Sequence, residues 1–314
     1  MEFKLNFDVP QAELQISHKD SLVLMGSCFS DEMSAHFQKS GFNIESNSFG
    51  TIFHPDPIAR SLTPSLDDSN EVEVFERNGL FFSWCSAGKV YRNSEEELRK
   101  EVLSRRQKLK VSLESASVLI VTFGTAWGYR HVELDRIVAN CHKAPSKTFE
   151  KELSNVSDVL AQWNSTIESL KKINSSLKIV FTVSPVRHKK DGLVENNRSK
   201  ARLIELVHAL TKHEEVSYFP AYEILIDELR DYRFYANDLV HPSKEAVAYV
   251  WEKFNDFAIA PEAQDLAKKV RNLHRELEHK SLYPESEEDK TRLSQVKQKK
   301  DELLARHPEI TFQQ

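Results

Sequence analysis

Short apolar runs alternate with longer amphipathic segments over the first 258 residues of the chain. Each run is bounded by turn residues and is the length of a strand that is buried on both faces. We therefore predict strands at 21–25, 42–44, 117–123, 178–183 and 216–219. The amphipathic segments predict helices at 31–40, 94–110, 148–174, 197–214, 221–230 and 242–257, and a helix start at 56–62. This alternation favours an α/β fold, a three-layer α/β/α sandwich with a parallel sheet.

Two segments depart from the alternation. Residues 71–92 carry alternating apolar positions on both sides of Asn78-Gly79, a dipeptide typical of two-residue turns, and predict a hairpin insertion. Residues 259–314 are rich in Lys, Glu and Leu and are divided by Pro284, which predicts a C-terminal helical hairpin. The sequence thus predicts an α/β domain over 1–258 and a helical extension that packs outside the sandwich.

Composition narrows the range of partners. The chain has 314 residues, a net charge of -5 and a pI of about 6.2, so it lacks the basic footprint of a nucleic-acid-binding protein. No apolar run approaches the roughly 18 residues of a membrane helix, and residues 1–10 do not resemble a signal peptide. Three cysteines without a Cys-x-x-Cys pair favour a reducing compartment. We expect a cytoplasmic protein with no membrane or nucleic-acid partner, and the sequence does not indicate its oligomeric state.

Small and polar residues follow three of the predicted strands. They are Gly26-Ser27-Cys28, Gly124-Thr125 and Ser184-Pro185. In parallel sheets, ligands bind beyond the carboxyl ends of the strands. The shared position of these three turns therefore predicts one site at that edge.

Ser27 and Cys28 are both candidate nucleophiles. At a strand-to-helix turn, backbone N–H groups stabilise negative charge, and for a thiol they raise the thiolate fraction. The alternative is structural: Gly26 makes a tight turn, Ser27 caps the helix and Cys28 is a small buried apolar residue. Both interpretations are consistent with these residues taken alone.

Asp238 and His241 form a second candidate group, about 210 residues downstream. A carboxylate three residues before an imidazole can fix its tautomer, which leaves the other ring nitrogen for a nucleophile. The alternative is an exposed loop in which Pro242 simply begins a helix. A nucleophile near the start and Asp-x-x-His near the end is the chain order of one hydrolase architecture.

Other polar residues give weaker signals. Arg187 and His188 follow a strand end and are candidates for an anionic or carbohydrate part of a substrate, or for loop salt bridges. His142 is adjacent to Cys141, but neighbouring side chains usually point apart. His142, His188 and His241 lack a metal-ligand spacing, and no Gly-rich phosphate motif is present. We therefore predict no metal and no cofactor.

In combination, these stretches resemble a known family. Gly26-Ser27-Cys28-Phe29-Ser30 closely matches the motif that names the GSCFA-domain family, which is similar to the SGNH/GDSL hydrolases. Ser30 replaces the Ala of the fifth motif position. The resemblance spans residues 20 to about 255 and leaves the tail outside. The supporting stretches are Phe49-Gly50-Thr51-Ile52, Gly124-Thr125-Ala126-Trp127, Ala139-Asn140-Cys141-His142-Lys143, Ser184-Pro185-Val186-Arg187-His188 and Asp238-Leu239-Val240-His241-Pro242.

The resemblance implies a flavodoxin-like sandwich and a set of site residues. Alignment on Gly26 puts Cys28 in the nucleophile register, although Ser27 has the usual chemistry. Gly50 would supply the oxyanion hole with the Cys28 N–H. Where these hydrolases place an Asn, the chain has Gly124 and Thr125. Thr125 or a backbone N–H would therefore have to take the role of that Asn. Asp238 and His241 match the catalytic pair without change.

The resulting functional hypothesis is an SGNH-like hydrolase or acyltransferase. It implies an ester or acyl substrate, including O-acetyl and acyl-carbohydrate compounds, and a covalent acyl-enzyme. Asn140 and His142 are candidates to enter the site from the following loop. The alternative is a non-catalytic module that binds a glycan or an acylated ligand on the same fold, which the missing Asn favours.

Overall fold

A computed structural model describes residues 5–67 and 69–312, and it contains eleven strands and nine α-helices within them. The strands are β1 (Ser21–Gly26), β2 (Asn43–Ser46), β3 (Phe75–Arg77), β4 (Leu80–Phe82), β5 (Tyr91–Arg92), β6 (Val118–Phe123), β7 (Trp127–His131), β8 (Arg136–Ile137), β9 (Phe149–Leu153), β10 (Lys178–Val183) and β11 (Val216–Phe219). The helices are α1 (Cys28–Lys39), α2 (Pro55–Leu66), α3 (Glu95–Ser115), α4 (Val156–Ile173), α5 (Leu193–Leu210), α6 (Ala221–Glu223), α7 (Lys244–Ala258), α8 (Pro261–Glu278) and α9 (Glu287–Arg306).

The five strands with the predicted apolar runs form one parallel sheet in the order β2-β1-β6-β10-β11. Renumbered within the sheet, this order is 2-1-3-4-5, the flavodoxin-like doubly wound arrangement. The register pairs Gly26 with Thr122, and Phe123 with Val183. The three central strands therefore end level with one another, and the turns that follow them open at one edge.

Helices cover both faces of the sheet, which confirms the three-layer sandwich. Alternate side chains of β1 point to opposite faces, so that Leu22 and Leu24 join one apolar cluster and Val23 and Met25 join another. Trp163 of α4 is fully buried in the second cluster, and its ring packs edge-on against Phe181.

Two small antiparallel sheets are inserted in this core. The first is β3-β4-β5, in which the Asn78-Gly79 turn joins β3 to β4 as the sequence predicts. The second, β8-β7-β9, was not predicted. The prediction of one helix over 148–174 is wrong at its start, because Phe149–Leu153 pairs with β7 and only Val156–Ile173 is helical.

Helix boundaries follow the local caps more closely than the apolar pattern. Helix α3 begins after Ser94, whose hydroxyl accepts the Glu97 N–H, and α7 begins after Ser243, which caps Ala246 in the same way. Helix α1 begins at Cys28, three residues before the predicted start. The predicted helix at 221–230 consists of the single turn α6 followed by a π-helical segment at Ile224–Leu229.

Helices α8 and α9 make up most of the tail. Ala263 and Ala267 of α8 pack into the apolar cluster that contains α1 and α7. Arg271 donates a hydrogen bond to Ser40 at the end of α1, and the Thr311 N–H donates to the Gly41 carbonyl. No helix within the described residues is long and apolar enough to cross a membrane.

Candidate active site

The turn after β1 is fixed by a glycine. Gly26 has φ of +133°, and a Cβ at this position would lie 2.1 Å from the Thr122 carbonyl oxygen of the neighbouring strand. A side chain is therefore excluded both by backbone conformation and by contact. The Ser27 N–H donates to the same carbonyl oxygen at 3.1 Å, which places Cys28 as the first residue of α1.

Asn47, which the sequence did not single out, supports this turn from the loop after β2. Its side-chain oxygen accepts the Gly26 N–H at 2.8 Å, and its side-chain nitrogen donates to Asp31 at 2.6 Å. Thr51 donates to the other oxygen of Asp31. The loop therefore ties the glycine turn to the first turn of α1 and fixes the position of Cys28.

Burial distinguishes the two candidate nucleophiles. Ser27 is 1% exposed, and its hydroxyl has no hydrogen-bond partner among the described residues, so it neither caps α1 nor faces solvent. The Cys28 side chain is only partly buried. A nucleophile must be reached by its substrate, and this favours Cys28 over Ser27.

The surroundings of the Cys28 thiol act on it in opposite directions. Burial and the negative charge of Asp31 raise the pKa of Cys28, whereas the N–H groups of Phe29 and Cys28 and the ammonium of Lys200 lower it. The net effect is a raised pKa, contrary to the lowered value that a helix N-terminus alone predicts. Cys85 and Cys141 also have raised pKa values, with that of Cys141 at about 11.

The backbone N–H groups of Cys28 and Phe29 are candidate donors to an oxyanion. Both belong to the first turn of α1, where backbone N–H groups have no intrahelical acceptor. Gly50 does not have its expected role in the oxyanion hole, because its N–H already donates to the Asn47 carbonyl oxygen at 2.6 Å. Gly50 instead makes a tight turn at φ +78°, packed against Ala87.

Asp238 and His241 form the predicted pair. Asp238 Oδ2 lies 2.7 Å from His241 Nδ1, while Oδ1 accepts the N–H groups of Val240 and His241. These hydrogen bonds lower the pKa of Asp238 to about 2, so its carboxylate stays ionised. Nε2 of His241 makes no hydrogen bond to any described residue, including Ser27 and Cys28.

The loop that carries this pair is held at the sheet edge. The Arg187 N–H donates to the Val240 carbonyl at 3.2 Å, and the Arg187 guanidinium lies over the ring of Tyr235 at 4.4 Å. Val240 and Cys28 pack against the same apolar cluster. Arg187 is therefore placed against the Asp238–His241 loop.

A cavity of about 790 Å³ opens between the β8-β7-β9 sheet and the sheet edge. Three of the predicted residues line it, namely Thr125, Asn140 and His188, whereas Ser27, Cys28, Gly50, Asp238 and His241 lie outside its wall. Its remaining wall includes the rings of Phe53, Trp127, Tyr129 and Phe149, and the charged groups of Lys151 and Asp191. Such a volume and mixture of aromatic and polar groups are typical of small-molecule sites.

His188 lines the cavity and follows Arg187, whose N–H donates to the Asp238–His241 loop. Burial lowers the pKa of His188 to about 4, and the positive charges of Lys200 and His241 act in the same direction. The imidazole is therefore neutral at neutral pH. Its backbone N–H is held by Asn196 at 2.9 Å.

The other predicted residues have structural roles. His142 is 6% exposed, its Nε2 bonds to the Ser83 carbonyl at 3.0 Å, and it packs against the rings of the first insertion, so it does not line the cavity. Gly124 donates its N–H to the Phe53 carbonyl. The Thr125 hydroxyl pairs with Ser199 and accepts the Trp127 N–H, which leaves it engaged within the protein.

Lys200 is a charged residue of this region that sequence reasoning missed. It is 1% exposed, and its Nζ donates to the carbonyl oxygens of Gly124 and Ser184, which follow β6 and β10. The burial of Lys200 could have been predicted from helix periodicity, because it lies seven residues, or about two turns, before the buried Val207 on the same face of α5. No group of metal-ligating side chains is found within the described residues.

A family model covers most of the chain. The model of the GSCFA family matches residues 21–254, which include β1 with its glycine turn and the Asp238–His241 pair. The chain belongs to the GSCFA family. The matched region of this GSCFA chain ends within α7, so α8 and α9 lie beyond it. No curated protein sequence matches the chain significantly.

Several solved structures are distantly similar to this GSCFA chain. A putative platelet activating factor from Streptococcus pneumonia has 8% identity and a TM-score of 0.41, and the match covers 76% of this chain and 83% of that one. A family 3 carbohydrate esterase from Clostridium thermocellum has 8% identity and a TM-score of 0.37, covering 80% and 98%. A carbohydrate esterase of family 3 from Talaromyces cellulolyticus has 7% identity and a TM-score of 0.36, covering 80% and 99%.

Proposed function

We propose that this chain is an SGNH-like hydrolase or acyltransferase in which Cys28 attacks an ester and carries the acyl group. The hydrogen bond of 2.7 Å between Asp238 and His241 is the observation that carries the proposal. It holds the imidazole in the tautomer with Nδ1 protonated, so that Nε2 is available as a base. Partly exposed Cys28 lies at the same sheet edge, at the N-terminus of α1.

In this reaction, Nε2 of His241 takes the proton of the Cys28 thiol, and the thiolate attacks the ester carbonyl. The N–H groups of Cys28 and Phe29 stabilise the resulting oxyanion. His241 then returns the proton to the departing alcohol, which leaves a thioester on Cys28. Water, or a second alcohol in the case of acyl transfer, resolves the thioester by the reverse sequence.

The cavity supports a substrate whose alcohol portion is large, ring-shaped and polar, such as an acylated carbohydrate. Aromatic rings pack against the apolar faces of sugar rings, while Asn140, His188 and Lys151 offer hydrogen bonds to hydroxyl groups. A volume of about 790 Å³ also accommodates a ligand much larger than an acetyl group.

Hydrolysis of p-nitrophenyl acetate and of acetylated sugars tests this function. Cys28→Ala is expected to abolish turnover, and His241→Ala to lower kcat by roughly 10²- to 10⁴-fold because the general base is lost. Ser27→Ala should retain activity, since its hydroxyl is buried away from solvent. Cys85→Ala is the matched control, a half-buried thiol outside the site.

Mass spectrometry of the quenched enzyme identifies the acylated residue. An adduct on the peptide that contains Cys28, lost in Cys28→Ala, supports the proposal. A fluorophosphonate adduct on Ser27 would show that the serine is the nucleophile instead. If no adduct forms and acetylated sugars still bind to Asp238→Ala and His241→Ala, the chain is a binding module and the hydrolase proposal is wrong.

A further inference from the structure

Arg187 follows β10, and its side chain lies across two tyrosine rings. The central carbon of the guanidinium group is 4.4 Å from the ring centre of Tyr235 and 5.5 Å from that of Tyr232. A guanidinium group contacts aromatic rings through its flat face, which leaves the N–H groups at its edge available for hydrogen bonds. The two rings therefore position the group without satisfying its donors.

The guanidinium of Arg187 has no acceptor within residues 5–67 and 69–312. An arginine side chain carries five N–H donors, and that of Arg187 forms neither a hydrogen bond nor an ion pair with a described residue. Arg202 of α5, which is also partly buried, instead donates to two backbone carbonyl oxygens at 2.8 and 2.5 Å. The loop salt bridge that the sequence left open for Arg187 is therefore not formed by the described residues. Because a partly buried charge is costly without a partner, the position favours an anion.

Two backbone contacts place this group beside His241. The Arg187 N–H donates to the carbonyl oxygen of Val240, the residue before His241, at 3.2 Å. Tyr235, whose ring lies under the guanidinium, forms a β-bridge with Pro242, the residue after His241. An anion bound to Arg187 would therefore lie close to the imidazole that acts as the base in the proposed reaction.

Asp238, the carboxylate of the same loop, does not serve as this anion. One of its oxygens lies 2.7 Å from His241 Nδ1, and the other accepts the N–H groups of Val240 and His241. Neither oxygen forms an ion pair with Arg187. An anion for Arg187 therefore has to come from a bound molecule.

We propose that Arg187 binds a carboxylate group of the substrate, so that the substrate class is an ester of a carboxylated compound. The planar edge of a guanidinium group matches a carboxylate through two parallel hydrogen bonds, and the single positive charge balances the single negative one. The inference rests on the proposed function, because it gives the charge of the ester that Cys28 attacks.

Two sources of the carboxylate are compatible with this position. One is the alcohol portion, as in an acetylated uronic acid: His188, next to Arg187 in sequence, lines the aromatic cavity, so a sugar ring held there has its carboxylate near Arg187. The other is the acyl portion, as in a succinyl ester, whose free carboxylate lies beyond the carbonyl carbon that Cys28 attacks. Both present the same group to the guanidinium.

Pairs of esters that differ in charge test the inference. One pair is mono-p-nitrophenyl succinate and its methyl ester, and the other is an acetylated methyl glucuronide and the corresponding acetylated methyl glucoside. In the wild-type chain, we expect the carboxylated member of one pair to have the lower KM. Arg187→Met should raise that KM by about tenfold to a hundredfold, the effect of losing hydrogen bonds to a charged group, and leave kcat and the neutral esters nearly unchanged.

Arg233→Met is the matched control. Arg233 belongs to the same loop and lies over the ring of Phe234, but it is 74% exposed and already has Asp231 as its partner. Its removal should leave the KM values of all four esters unchanged. The pair of esters that responds to Arg187→Met identifies the source of the carboxylate.

Equal KM values for the charged and neutral esters of both pairs would overturn the inference, and so would a preference that folded Arg187→Met retains. If that variant does not fold, NMR of the wild-type chain with ¹⁵N-labelled arginine decides. Addition of methyl glucuronide or of succinate should shift the Nε–H signal of Arg187, whereas methyl glucoside should not. A signal that no carboxylate shifts would contradict the inference.

A failure of the proposed function gives a different pattern. In that case the wild-type chain hydrolyses none of the four esters, while methyl glucuronide or succinate still shifts the Arg187 signal. If hydrolysis depends on Cys28 but does not distinguish charged from neutral esters, the proposed function stands and the role of Arg187 is wrong.

Discussion

Lys200 and Asp238 are both charged, but their surroundings change their ionisation for different reasons. Asp238 is half exposed, and hydrogen bonds from His241 and Val240 lower its pKa to about 2. Lys200 is fully buried, and desolvation lowers its pKa to about 7. The carboxylate therefore stays ionised in ordinary buffers, whereas the lysine titrates near neutral pH.

This titration predicts how stability depends on pH. Between pH 7 and the ordinary lysine pKa of 10.5, the unfolded chain holds a proton on Lys200 that the folded chain has released. The free energy of unfolding should then rise with pH through this window, and the cost of burying the charge is fully present below it. The contribution has a slope of up to about 1.4 kcal/mol per pH unit.

The slope is measured by urea unfolding at several pH values for wild-type and Lys200→Met. The variant should lose this rise with pH and, at the upper end of the window where Lys200 is uncharged, some stability, because the carbonyl oxygens of Gly124 and Ser184 lose their donor. Equal slopes in the two chains would mean that Lys200 does not change its protonation on folding.

At the scale of elements, the β8-β7-β9 sheet forms one wall of the cavity, and its aromatic residues should determine affinity for a large substrate. Tyr129→Ala removes a ring that lines the cavity. We expect KM for an acetylated sugar to rise about threefold to tenfold, the effect of losing roughly 0.5–1.5 kcal/mol of aromatic contact. The kcat for p-nitrophenyl acetate should change little.

Tyr91→Ala is the control for this variant. Tyr91 is similarly exposed, at 44% against 37% for Tyr129, but it belongs to the β3-β4-β5 sheet. Its removal should leave both parameters unchanged. An equal rise of KM in the two variants would show that the cavity does not hold the substrate.

The elements that could be predicted from the sequence are those with a strong local signal. The five core strands carry continuous apolar runs, and Ser94 and Ser243 mark helix starts by their capping chemistry. Strand β9 has no such signal. Its residues Phe149–Leu153 include helix-forming Glu and Lys, and it is a strand because β7 pairs with it and Arg130 forms an ion pair with Glu152.

In the candidate site too, contacts between residues near in sequence could be predicted, and contacts between distant residues could not. Asp238 and His241 are three residues apart, so their contact is local and could be predicted. The contribution of Asn47 depends on a contact across 21 residues, and that of Lys200 on one across 76. Gly50 was assigned to the oxyanion hole by resemblance, but whether its N–H is free depends on the turn formed with Asn47.

On the scale of the whole molecule, helix α1 separates the candidate site from the tail. Cys28 is its first residue, and Ser40, which contacts α8, follows its last. At 1.5 Å per residue, the two ends of α1 are roughly 17 Å apart. The tail therefore packs against the far end of the helix that presents the thiol.

This separation predicts that the tail contributes to stability and not to the chemistry. A chain that ends at residue 260 should fold, and its Cys28 should react with iodoacetamide with the same pH profile as in the full chain. It should unfold at a lower temperature. The loss follows from exposing the surfaces that Ala263 and Ala267 cover and from losing the cluster of Leu266 and Val270.

Two leucines of the tail test the same point without a deletion. Leu266 is 9% exposed and Leu293 is 42% exposed. Leu266→Ala should lower the free energy of unfolding by about 2–3 kcal/mol, while Leu293→Ala should change it by less than about 0.5 kcal/mol. Both variants should keep the wild-type labelling of Cys28. A Leu266→Ala chain that is as stable as the wild type would show that the tail is not packed on the core. A change in the labelling of Cys28 would show that the tail is coupled to the site through α1.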